Sequence, residues 1–453
     1  MIRPDDGPTI VWFRDDLRVS DNPALTAAIA RGAPVVAVFV FDEESSGIRP
    51  LGSASRWWLH HSLLSLRASL EGLGGRLLLR RGAAQVEIAR LIGETGAGAI
   101  TWNRRYGGAE RAVDTAVKAD ALAAGVIAHS FGASLLFEPW TVQTNSGGEF
   151  SVFSPFWRAC QAGAAPRHPL AAPDRIDGVD LPGDDLDDWG LLPTRPDWAG
   201  GLRAAWTPGE DAAQDRLAAF VDEKLVGYAA HRDEPGTLST SRLSPHLRWG
   251  EISPFSVWHA ASAAPASKSR VKFLSELGWR EFSYHLLFHR PDLASTNYRS
   301  EFDRFPWVEP KPRLLAAWQQ GKTGVPLVDA GMRELWQTGY LHNRVRMVTA
   351  SFLVKNLMVD WRIGEEWFWD TLVDADPASN AASWQWVAGS GADAAPYFRI
   401  FNPILQAEKF DPESRYIRAF VPEVDTTDFP RPIVDLAESR RIALAAFERL
   451  GPV

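Results

Sequence analysis

This 453-residue chain has almost no cysteine, no long apolar run and no excess of basic residues, and each of these features excludes a class of protein. With a single cysteine, Cys160, the chain can form neither an intramolecular disulfide nor a metal cluster built from several thiolates. No stretch approaches the run of about 18 apolar residues that a membrane-spanning helix needs. The net charge of −8 argues against a general polyanion-binding protein, so any nucleic-acid site must be local.

The N-terminal residues do not have the pattern of an export signal. The first 20 residues carry four acidic side chains, Asp5, Asp6, Asp15 and Asp16, rather than a basic segment followed by an apolar one. We also predict no metal site, because neither cysteines nor histidines stand out as a ligand motif. We therefore expect a soluble, cytoplasmic protein with no membrane partner.

Tryptophan, in contrast, is abundant, with 20 residues in the chain. Its bulky ring carries an N–H that needs a hydrogen-bond partner, which makes it a poorer core filler than leucine. The excess points either to stacking surfaces and electron relays or to large helices packed through tryptophan.

The pattern of hydrophobicity changes along the chain. From Thr9 to about Ser134, short apolar strands alternate with helical stretches, which predicts βαβ units and a doubly wound parallel sheet. From Pro208 onward the periodicity is helical. We expect an α/β domain over 1–135, a linker over 136–206 and an all-α domain over 207–453, with Leu181 to Trp189 as a surface connector. The expected strands are Thr9–Phe13, Val35–Phe41, Arg76–Leu79 and Ala99–Trp102, and the expected later helices include Glu210–Tyr228, Lys268–His289, Leu314–Gln320, Asp329–Gly339 and Arg344–Asp360.

One predicted helix face combines an acid, an indole and a base. Glu276, Trp279, Arg280 and Ser283 share it through their i, i+3, i+4 and i+7 spacing. A functional carboxylate is one interpretation, and a simple partner for Arg280 is the other.

Two further segments place polar side chains beside buried helices. Asn343, Arg346 and Met347 share a face just before an apolar run, which is typical of a ligand pocket. Asn380 and Trp384 lie one turn apart if their segment is helical, and could face the same flat ligand.

Several long strings, in a fixed order along the chain, carry a family resemblance. They are Val11 to Arg18, Thr240 to Pro245, Asn343 to Lys355, Asp374 to Trp386 and Asp393 to Pro403. Together they resemble the photolyase/cryptochrome family over nearly the whole chain. The resemblance implies an N-terminal α/β antenna domain and a C-terminal helical domain that holds a U-shaped FAD.

The resemblance also implies a cofactor site. Its residues would be Tyr228, Thr240, Ser241, Arg242, Leu243, Ser244, Asn343, Arg346, Asp374, Asp376 and Asn380. Hydroxyls and backbone N–H groups suit a pyrophosphate, and Arg346 and Asp374 can form a buried pair. Asn380 would lie beside flavin N5, where plant cryptochromes have an aspartate, and a neutral amide there is compatible with the reduced flavin that repair needs.

The DNA-facing residues implied by the resemblance are Arg232, Glu276, Trp279, Arg280, Asn343, Arg344, Met347, Trp386, Arg399 and Gln406. Trp279 and Trp386 would pack on a flipped-out pyrimidine dimer, and Glu276 would hydrogen-bond it. The (6-4) photolyases resemble the chain less, because they use pocket histidines where this chain has Met347. The implied activity is that of a deoxyribodipyrimidine photo-lyase, a carbon–carbon lyase acting as a monomer on DNA that contains cyclobutane pyrimidine dimers.

The resemblance further implies an electron relay and a second chromophore. Trp384, Trp361 and Trp307 match the relay, with Trp336 or Trp318 as alternatives where the spacing around Trp307 differs. The antenna chromophore would be methenyltetrahydrofolate, with a deazaflavin or an empty site as the alternatives. Because Ala109 replaces the asparagine that usually precedes Glu110, we expect an unusual folate mode against Trp57 or Trp58.

A blue-light photoreceptor of the cryptochrome type is the alternative function. Repair-type residues at Glu276, Trp279, Met347, Trp386 and Asn380 favour the lyase.

Overall fold

The N-terminal half is built on a five-stranded parallel sheet. A computed structural model of the chain describes residues 7–395 and 397–451. The strand order is β3-β2-β1-β4-β5, and Thr9 of the central strand pairs with Val35 on one side and Ala99 on the other. The doubly wound sheet is therefore confirmed, with strands β1 Thr9–Phe13, β2 Val35–Phe41, β3 Leu77–Arg81, β4 Ala99–Asn103 and β5 Ile127–Phe131.

Helices cover both faces of this sheet, as a parallel sheet requires. Asn22 caps the first helix by accepting a hydrogen bond from the backbone N–H of Leu25. One apolar core contains Trp57 and Trp58, and the core on the opposite face contains Trp12 and Trp102. The four helices of this half are α1 Pro23–Ala30, α2 Ser53–Gly72, α3 Ala84–Thr95 and α4 Gly108–Ala123.

The last strand was not predicted, and the physical reason is its position at the sheet edge. β5 reads Ile-Ala-His-Ser-Phe, so it lacks the continuous apolar run of a buried strand, and Ile127 is exposed. Register with β4 nevertheless pairs Ile127 with Ala99. Partial exposure of an edge strand removes the apolar signal on which the sequence argument depends.

The segment expected to be a surface connector is partly buried, so that interpretation is wrong at two residues. Leu186 and Trp189 are buried, and the indole of Trp189 stacks on Phe41 with ring centroids 5.3 Å apart. The region 136–206 also contains two helices, α5 Phe153–Ala162 and α6 Gly200–Ala205, and two 3₁₀ turns, Pro139–Thr141 and Asp187–Trp189.

The second half is helical. Lys268–His289 is confirmed residue for residue, and Ser267 caps it by accepting from the Arg270 N–H. The helix predicted to reach Asp360 is too long, because a π-helical turn at Phe352–Asn356 ends it. The helices are α7 Glu210–Ala219, α8 Tyr228–His231, α9 Ser244–Arg248, α10 Pro254–Ala263, α11 Lys268–His289, α12 Pro312–Gln319, α13 Pro326–Thr338, α14 Asn343–Ser351, α15 Trp361–Thr371, α16 Ser379–Ala388, α17 Pro403–Phe410, α18 Arg415–Phe420 and α19 Leu436–Glu448, with a π turn at Phe220–Lys224 and 3₁₀ turns at Leu225–Gly227 and Ser300–Arg304.

The two halves dock where α2 begins. Asp370 of α15 accepts hydrogen bonds from both the backbone N–H and the hydroxyl of Ser53. Trp369 donates from its indole N–H to the carbonyl of Pro50. A side chain at Gly52 would collide with the Trp369 carbonyl, so glycine permits this close approach. The start of α2, in the N-terminal half, is thus fixed to α15.

Within the described ranges, no helix is both long and apolar enough to span a bilayer.

One buried acid of α11 should make stability depend on pH. Glu281 is buried, and burial raises its pKa from 4.5 to about 7, against the opposing charge of Arg280. A raised folded-state pKa contributes stability that is fully present below the unfolded pKa near 4.5 and is lost as pH rises through about 7.

Replacing Glu281 by glutamine removes this titration. As the pH rises from 4.5 to 8, wild type should lose stability that the variant keeps. The difference in free energy of unfolding, variant minus wild type, should therefore grow by up to about 3 kcal/mol, at about 1.36 kcal/mol per pKa unit. Urea unfolding of both proteins across this range measures the difference. A difference that does not change with pH would assign the titration to other groups.

Candidate functional site

The segment predicted to hold a phosphate group leads into α9. Thr240 and Ser241 are partly exposed, Leu243 is buried and Ser244 is exposed at the first position of the helix. Arg242 has a φ of 51°, in the left-handed region that non-glycine residues seldom adopt. Such a conformation is seldom retained without a reason and is common at ligand-binding sites.

A buried ion pair lies next to this segment. The guanidinium of Arg346 donates to both carboxylate oxygens of Asp374, at 3.0 and 2.8 Å, and Ser244 Oγ donates to the same carboxylate at 2.6 Å. Burial alone would lower the pKa of Arg346, but the charge and hydrogen bonds of Asp374, together with other nearby acidic groups, outweigh burial and raise that pKa. The three side chains, which come from α9, α14 and the turn before α16, are therefore held as one unit.

Asp376 holds the start of α16. One carboxylate oxygen accepts from the backbone N–H groups of Ala378 and Ser379, and the other accepts from the Tyr284 hydroxyl at 2.8 Å. The backbone N–H of Asn380 donates to the Asp376 carbonyl at 3.0 Å. Asp376 thus positions Asn380 through the backbone.

The side-chain amide of Asn380 is fixed by a residue that the sequence did not single out. Its Nδ2 donates to the backbone carbonyl of Glu365 at 3.0 Å and to the Glu365 carboxylate at 2.8 Å. Glu365 is buried on α15. Both amide hydrogens are used on these two acceptors, so the side-chain oxygen Oδ1 is the atom left for a ligand.

These residues fit FAD. The guanidinium of Arg242 lies over the ring of Trp206 at 4.2 Å, and its Nε is buried without a hydrogen-bond partner. An arginine with an unused donor, close in the chain to Ser241 and Ser244, is suited to an anionic diphosphate. Tyr228 is buried, its ring packs edge-on against Phe273 at 5.5 Å, and burial raises its pKa.

The predicted DNA-facing side is a cluster of alternating charges. Arg232 pairs with Glu276, and Lys272 contacts the same carboxylate at 3.0 Å. Asp233 lies 2.9 Å from the guanidinium of Arg344 and 3.7 Å from that of Arg232. Burial opposes the charge on Arg232, but the hydrogen bond from Arg232 to Glu276 raises its pKa above the usual value. Glu276 is thus the partner of Arg232, and the described contacts of Arg280 lie elsewhere.

The two predicted stacking tryptophans differ in their surroundings. Trp279 has one ring face covered by Phe153, with centroids 3.9 Å apart and planes within 10°. Trp386 lines a shallow surface recess with Arg399 and Phe401, and its indole N–H donates to the Asp393 carbonyl.

Some predicted residues point away from this surface or contact only near neighbours. Arg280 donates to the Ser134 carbonyl at 2.6 Å, so its guanidinium is directed toward the antenna half. Asn343 is exposed and its Nδ2 lies 3.9 Å from the sulfur of Met347. The side-chain oxygen of Gln406 is buried without a hydrogen-bond partner. His342 directly precedes Asn343 in the chain. Its Nδ1 accepts a hydrogen bond from the Arg344 N–H and caps α14.

The predicted relay tryptophans lie in or against one apolar cluster. Trp384 is buried and packs edge-on against Phe368 at 4.9 Å and Trp318 at 6.3 Å, measured between ring centroids. Trp361 is fully buried and donates from its indole to Asn297, and Trp307 is partly buried against the same cluster. A side chain at Gly364 would collide with the Trp384 ring, which explains the glycine.

The alternatives for the third relay position differ in exposure. Trp318 is fully buried and contacts Trp384, whereas Trp336 is 62% exposed and parallel to Trp367 at 6.2 Å.

The prediction that a folate contacts Trp57 or Trp58 is wrong, because neither ring is accessible to a ligand. Both indoles are buried in the antenna core, with 1% and 0% exposure, so neither offers a free face. Trp58 is held by a hydrogen bond to Glu251 and by edge-on contact with Trp206.

The first turn of α4 contacts the helical half. Arg111 donates to the Phe288 carbonyl and its guanidinium lies 4.2 Å from the centre of the Phe288 ring.

One histidine pair does have metal-ligand spacing. His285 and His289 lie four residues apart on α11, with ring centroids at 4.6 Å. The Nε2 atom of His285 is occupied by a hydrogen bond from the Phe150 N–H. In the part of the chain that the structure describes, no group of three or more His, Cys, Asp or Glu residues could hold a metal ion.

The sequence argument missed Glu365, Asp233, Lys272 and Phe153. Lys272 stands four residues before Glu276 on one helix, so its i, i+4 spacing was a usable signal. Phe153 and Glu365 reach the site from distant parts of the chain, and no spacing rule indicates such contacts.

With this geometry established, comparisons with known proteins identify the family. The FAD binding domain of DNA photolyase matches residues 273–428, and the DNA photolyase domain matches residues 9–174. The chain belongs to the photolyase/cryptochrome family. The predictions of the family, of the two-part fold and of an FAD-binding domain are therefore confirmed.

Three similar proteins show how far this likeness extends. The deoxyribodipyrimidine photo-lyase of Agrobacterium fabrum is 50% identical over 97% of each chain. Cryptochrome-1 of Arabidopsis thaliana is 39% identical over 92% of this chain and 63% of its own length. A bacterial class III photolyase from Agrobacterium tumefaciens has a solved structure with a TM-score of 0.94 and 48% identity, covering 100% of this chain and 99% of its own. The predicted enzyme class agrees with the names of the two bacterial relatives.

Proposed function

We propose that this protein repairs cyclobutane pyrimidine dimers in DNA, using light and reduced FAD. The relatives support photo-repair of DNA with FAD, and the cyclobutane specificity is our own inference. The domain limits 1–135, 136–206 and 207–453, the monomeric state, a cytoplasmic location and a folate antenna, with deazaflavin as its alternative, stay part of this proposal.

One observation carries the proposal: contacts link the predicted dimer-binding acid to α14, the helix that also contributes to the predicted flavin cradle. Glu276 pairs with Arg232, which lies beside Asp233, and Asp233 pairs with Arg344. Arg344 stands two residues before Arg346 on α14. The guanidinium of Arg346 holds Asp374. The proposed substrate and cofactor sites therefore share α14, so a flipped dimer would lie close to the flavin.

Each part of the site has a physical task. Arg346 and Asp374, with Ser244, would orient the isoalloxazine ring, while Arg242 would neutralise the diphosphate. Trp386 and Trp279 would supply flat apolar walls for the extruded dimer, and damaged bases cost less to extrude. Glu276 would hydrogen-bond the dimer and stabilise it once it carries an electron. When bound, reduced FAD supplies the excited electron, and the protein positions and tunes it.

The alternative is a cryptochrome-like photoreceptor, and the 39% identity to the Arabidopsis protein is the observation in its support. Glu276 and the neutral Asn380 argue for repair. A (6-4) photolyase would need free pocket histidines, and His342 has its Nδ1 occupied as a helix cap.

The deciding experiment is illumination of the purified, FAD-reduced protein with DNA that contains either cyclobutane dimers or (6-4) photoproducts. We expect loss of cyclobutane dimers alone, counted by chromatography after digestion. Loss of neither lesion would favour the photoreceptor, and loss of (6-4) products would overturn the specificity.

Glu276→Ala should lower the quantum yield of repair far more than it weakens DNA binding. A hydrogen bond to a charged group is worth about 1.5–3 kcal/mol, so we expect about a tenfold loss once the dimer carries an electron. Binding should be unchanged or tighter, because the substitution frees Arg232 and Lys272 from their acidic partner.

Lys272→Ala is the matched control, because it removes a neighbour of Glu276 and leaves the carboxylate. Its yield per bound dimer should be normal, with slightly weaker binding to DNA. If Glu276→Ala instead abolished binding and kept a normal yield per bound dimer, the carboxylate would have a binding role only.

A further inference from the structure

The antenna half contributes a side chain to the inner contacts of the proposed flavin site. Arg49 lies in the loop between β2 and α2. Its two terminal nitrogens donate to the two carboxylate oxygens of Glu365, at 2.8 and 2.9 Å, in a bidentate pair. The guanidinium also lies over the Trp369 ring at 4.2 Å. Two partners on one helix, α15, therefore hold this arginine.

The carboxylate that Arg49 grips is the one that holds Asn380. The Glu365 side chain is 4% exposed, and Oε1 accepts from both the Arg49 guanidinium and the Asn380 amide, each at 2.8 Å. A buried carboxylate is tolerated when a cation and further hydrogen bonds compensate it. Among the described residues, Arg49 is the cation that contacts Glu365.

The Glu365 carboxylate and the Glu365 backbone carbonyl together decide which atom Asn380 presents. An ionised carboxylate only accepts hydrogen bonds, so the amide must turn its Nδ2 toward Glu365 and leave Oδ1 free. Without Arg49, the carboxylate would lose its compensating charge and its bidentate anchor. Glu365 could then reorient, and the amide of Asn380 would keep only its hydrogen bond to the Glu365 backbone carbonyl, so its orientation would be held less firmly.

We propose that Arg49 is a positioning residue of the active site, which acts through Glu365 to keep the Oδ1 atom of Asn380 directed at the bound flavin. This inference rests on the proposed function for the location of the flavin. Reduced flavin carries an N–H at N5, for which Oδ1 is the matching acceptor, whereas Nδ2 would present a second donor. The antenna half would thus stabilise the reduced cofactor.

The test compares the FAD-loaded full-length protein with Arg49→Met, Arg49→Lys and Asp370→Asn. Asp370→Asn is the matched control, because it weakens the Ser53 contact at the same interface and leaves Glu365 untouched. The main measurement is the fraction of reduced FAD at fixed applied potential, read by absorbance. Tm and the FAD content report any loss of folding.

We expect Arg49→Met to lower the ratio of reduced to oxidised FAD about tenfold near the wild-type midpoint, the size of effect that loss of an outer hydrogen-bond partner has at metal centres. Arg49→Lys keeps the charge without the bidentate geometry and should fall between Met and wild type. Asp370→Asn should keep the wild-type potential even if its Tm falls.

A wild-type potential in folded, FAD-loaded Arg49→Met would overturn the inference, and so would an equal shift in Asp370→Asn. Because the potential is measured without DNA, this result is independent of the repair assay. Failure of wild type to repair dimers would refute the proposed function and leave the role of Arg49 to be decided by the potential.

Discussion

Trp384→Phe should nearly stop the photoreduction of oxidised FAD by an external donor. Trp384 follows Asn380 by one helical turn on α16, and its buried indole contacts the apolar cluster that contains Trp361. Phenylalanine keeps a flat apolar ring but is much harder to oxidise, so electron transfer from the proposed relay would fail at its first step. The measurement is the rate of FAD bleaching under blue light with a thiol donor.

The same substitution should leave repair by chemically reduced protein intact, because the dimer would receive its electron directly from the flavin. The smaller ring should cost about 1–2 kcal/mol of stability, less than the about 3–5 kcal/mol of a change to alanine. Loss of repair in the dithionite-reduced variant would place Trp384 among the repair residues.

Two control variants separate the routes beyond Trp384. Trp318 lies 6.3 Å from Trp384, whereas Trp336 is on the surface beside Trp367. Trp307→Phe should slow photoreduction if the relay runs through Trp361 and Trp307, and Trp318→Phe should then have little effect. Normal photoreduction in Trp384→Phe would exclude all routes that begin at this indole.

The antenna fold was predictable because its strands are short apolar runs separated by helices of regular length. Val35–Phe41 was predicted at both ends, since seven consecutive apolar residues leave no other interpretation. β5 failed because an edge strand is only partly buried, and Arg344–Asp360 failed because a π turn gives no periodicity signal.

The candidate site was predictable where one helix or one motif carries the residues. The i, i+4 rule placed Asn380 and Trp384 together, and the resemblance placed Arg346 with Asp374. Contacts between distant segments were not predictable. Arg49 and Glu365 are 316 residues apart, and their pairing depends on how the two halves dock.

The abundance of tryptophan had two interpretations, and the structure supports the packing interpretation for many of them. Trp12, Trp57, Trp58, Trp102 and Trp249 are fully buried in the cores. Several use the indole N–H as buried tryptophan requires, such as Trp249, which donates to the Val373 carbonyl. Composition alone could not separate these residues from those proposed for stacking or electron transfer.

Asp374→Asn should release FAD. The Asp374 carboxylate pairs with Arg346 and accepts a hydrogen bond from Ser244, and the substitution removes its charge. The three side chains of the proposed ring-binding unit would then no longer be held together. Truncating one partner of a buried charge pair at a binding site costs about 2–5 kcal/mol, so we expect FAD binding to weaken by about 30-fold or more. Fluorescence titration of the FAD-depleted variant against equally treated wild type measures this loss.

The cost in stability should be smaller than that for a fully buried pair. Arg346 keeps a quarter of its side chain exposed, so water can partly compensate the unpaired guanidinium, and we expect about 2 kcal/mol rather than about 3–5. Asp329→Asn is the matched control: Asp329 is a buried carboxylate that accepts from Thr323 and Gly324, and its described hydrogen bonds do not involve the proposed cradle. This control should lose stability and keep its FAD, whereas equal FAD loss in both variants would show that Asp374 acts only through folding.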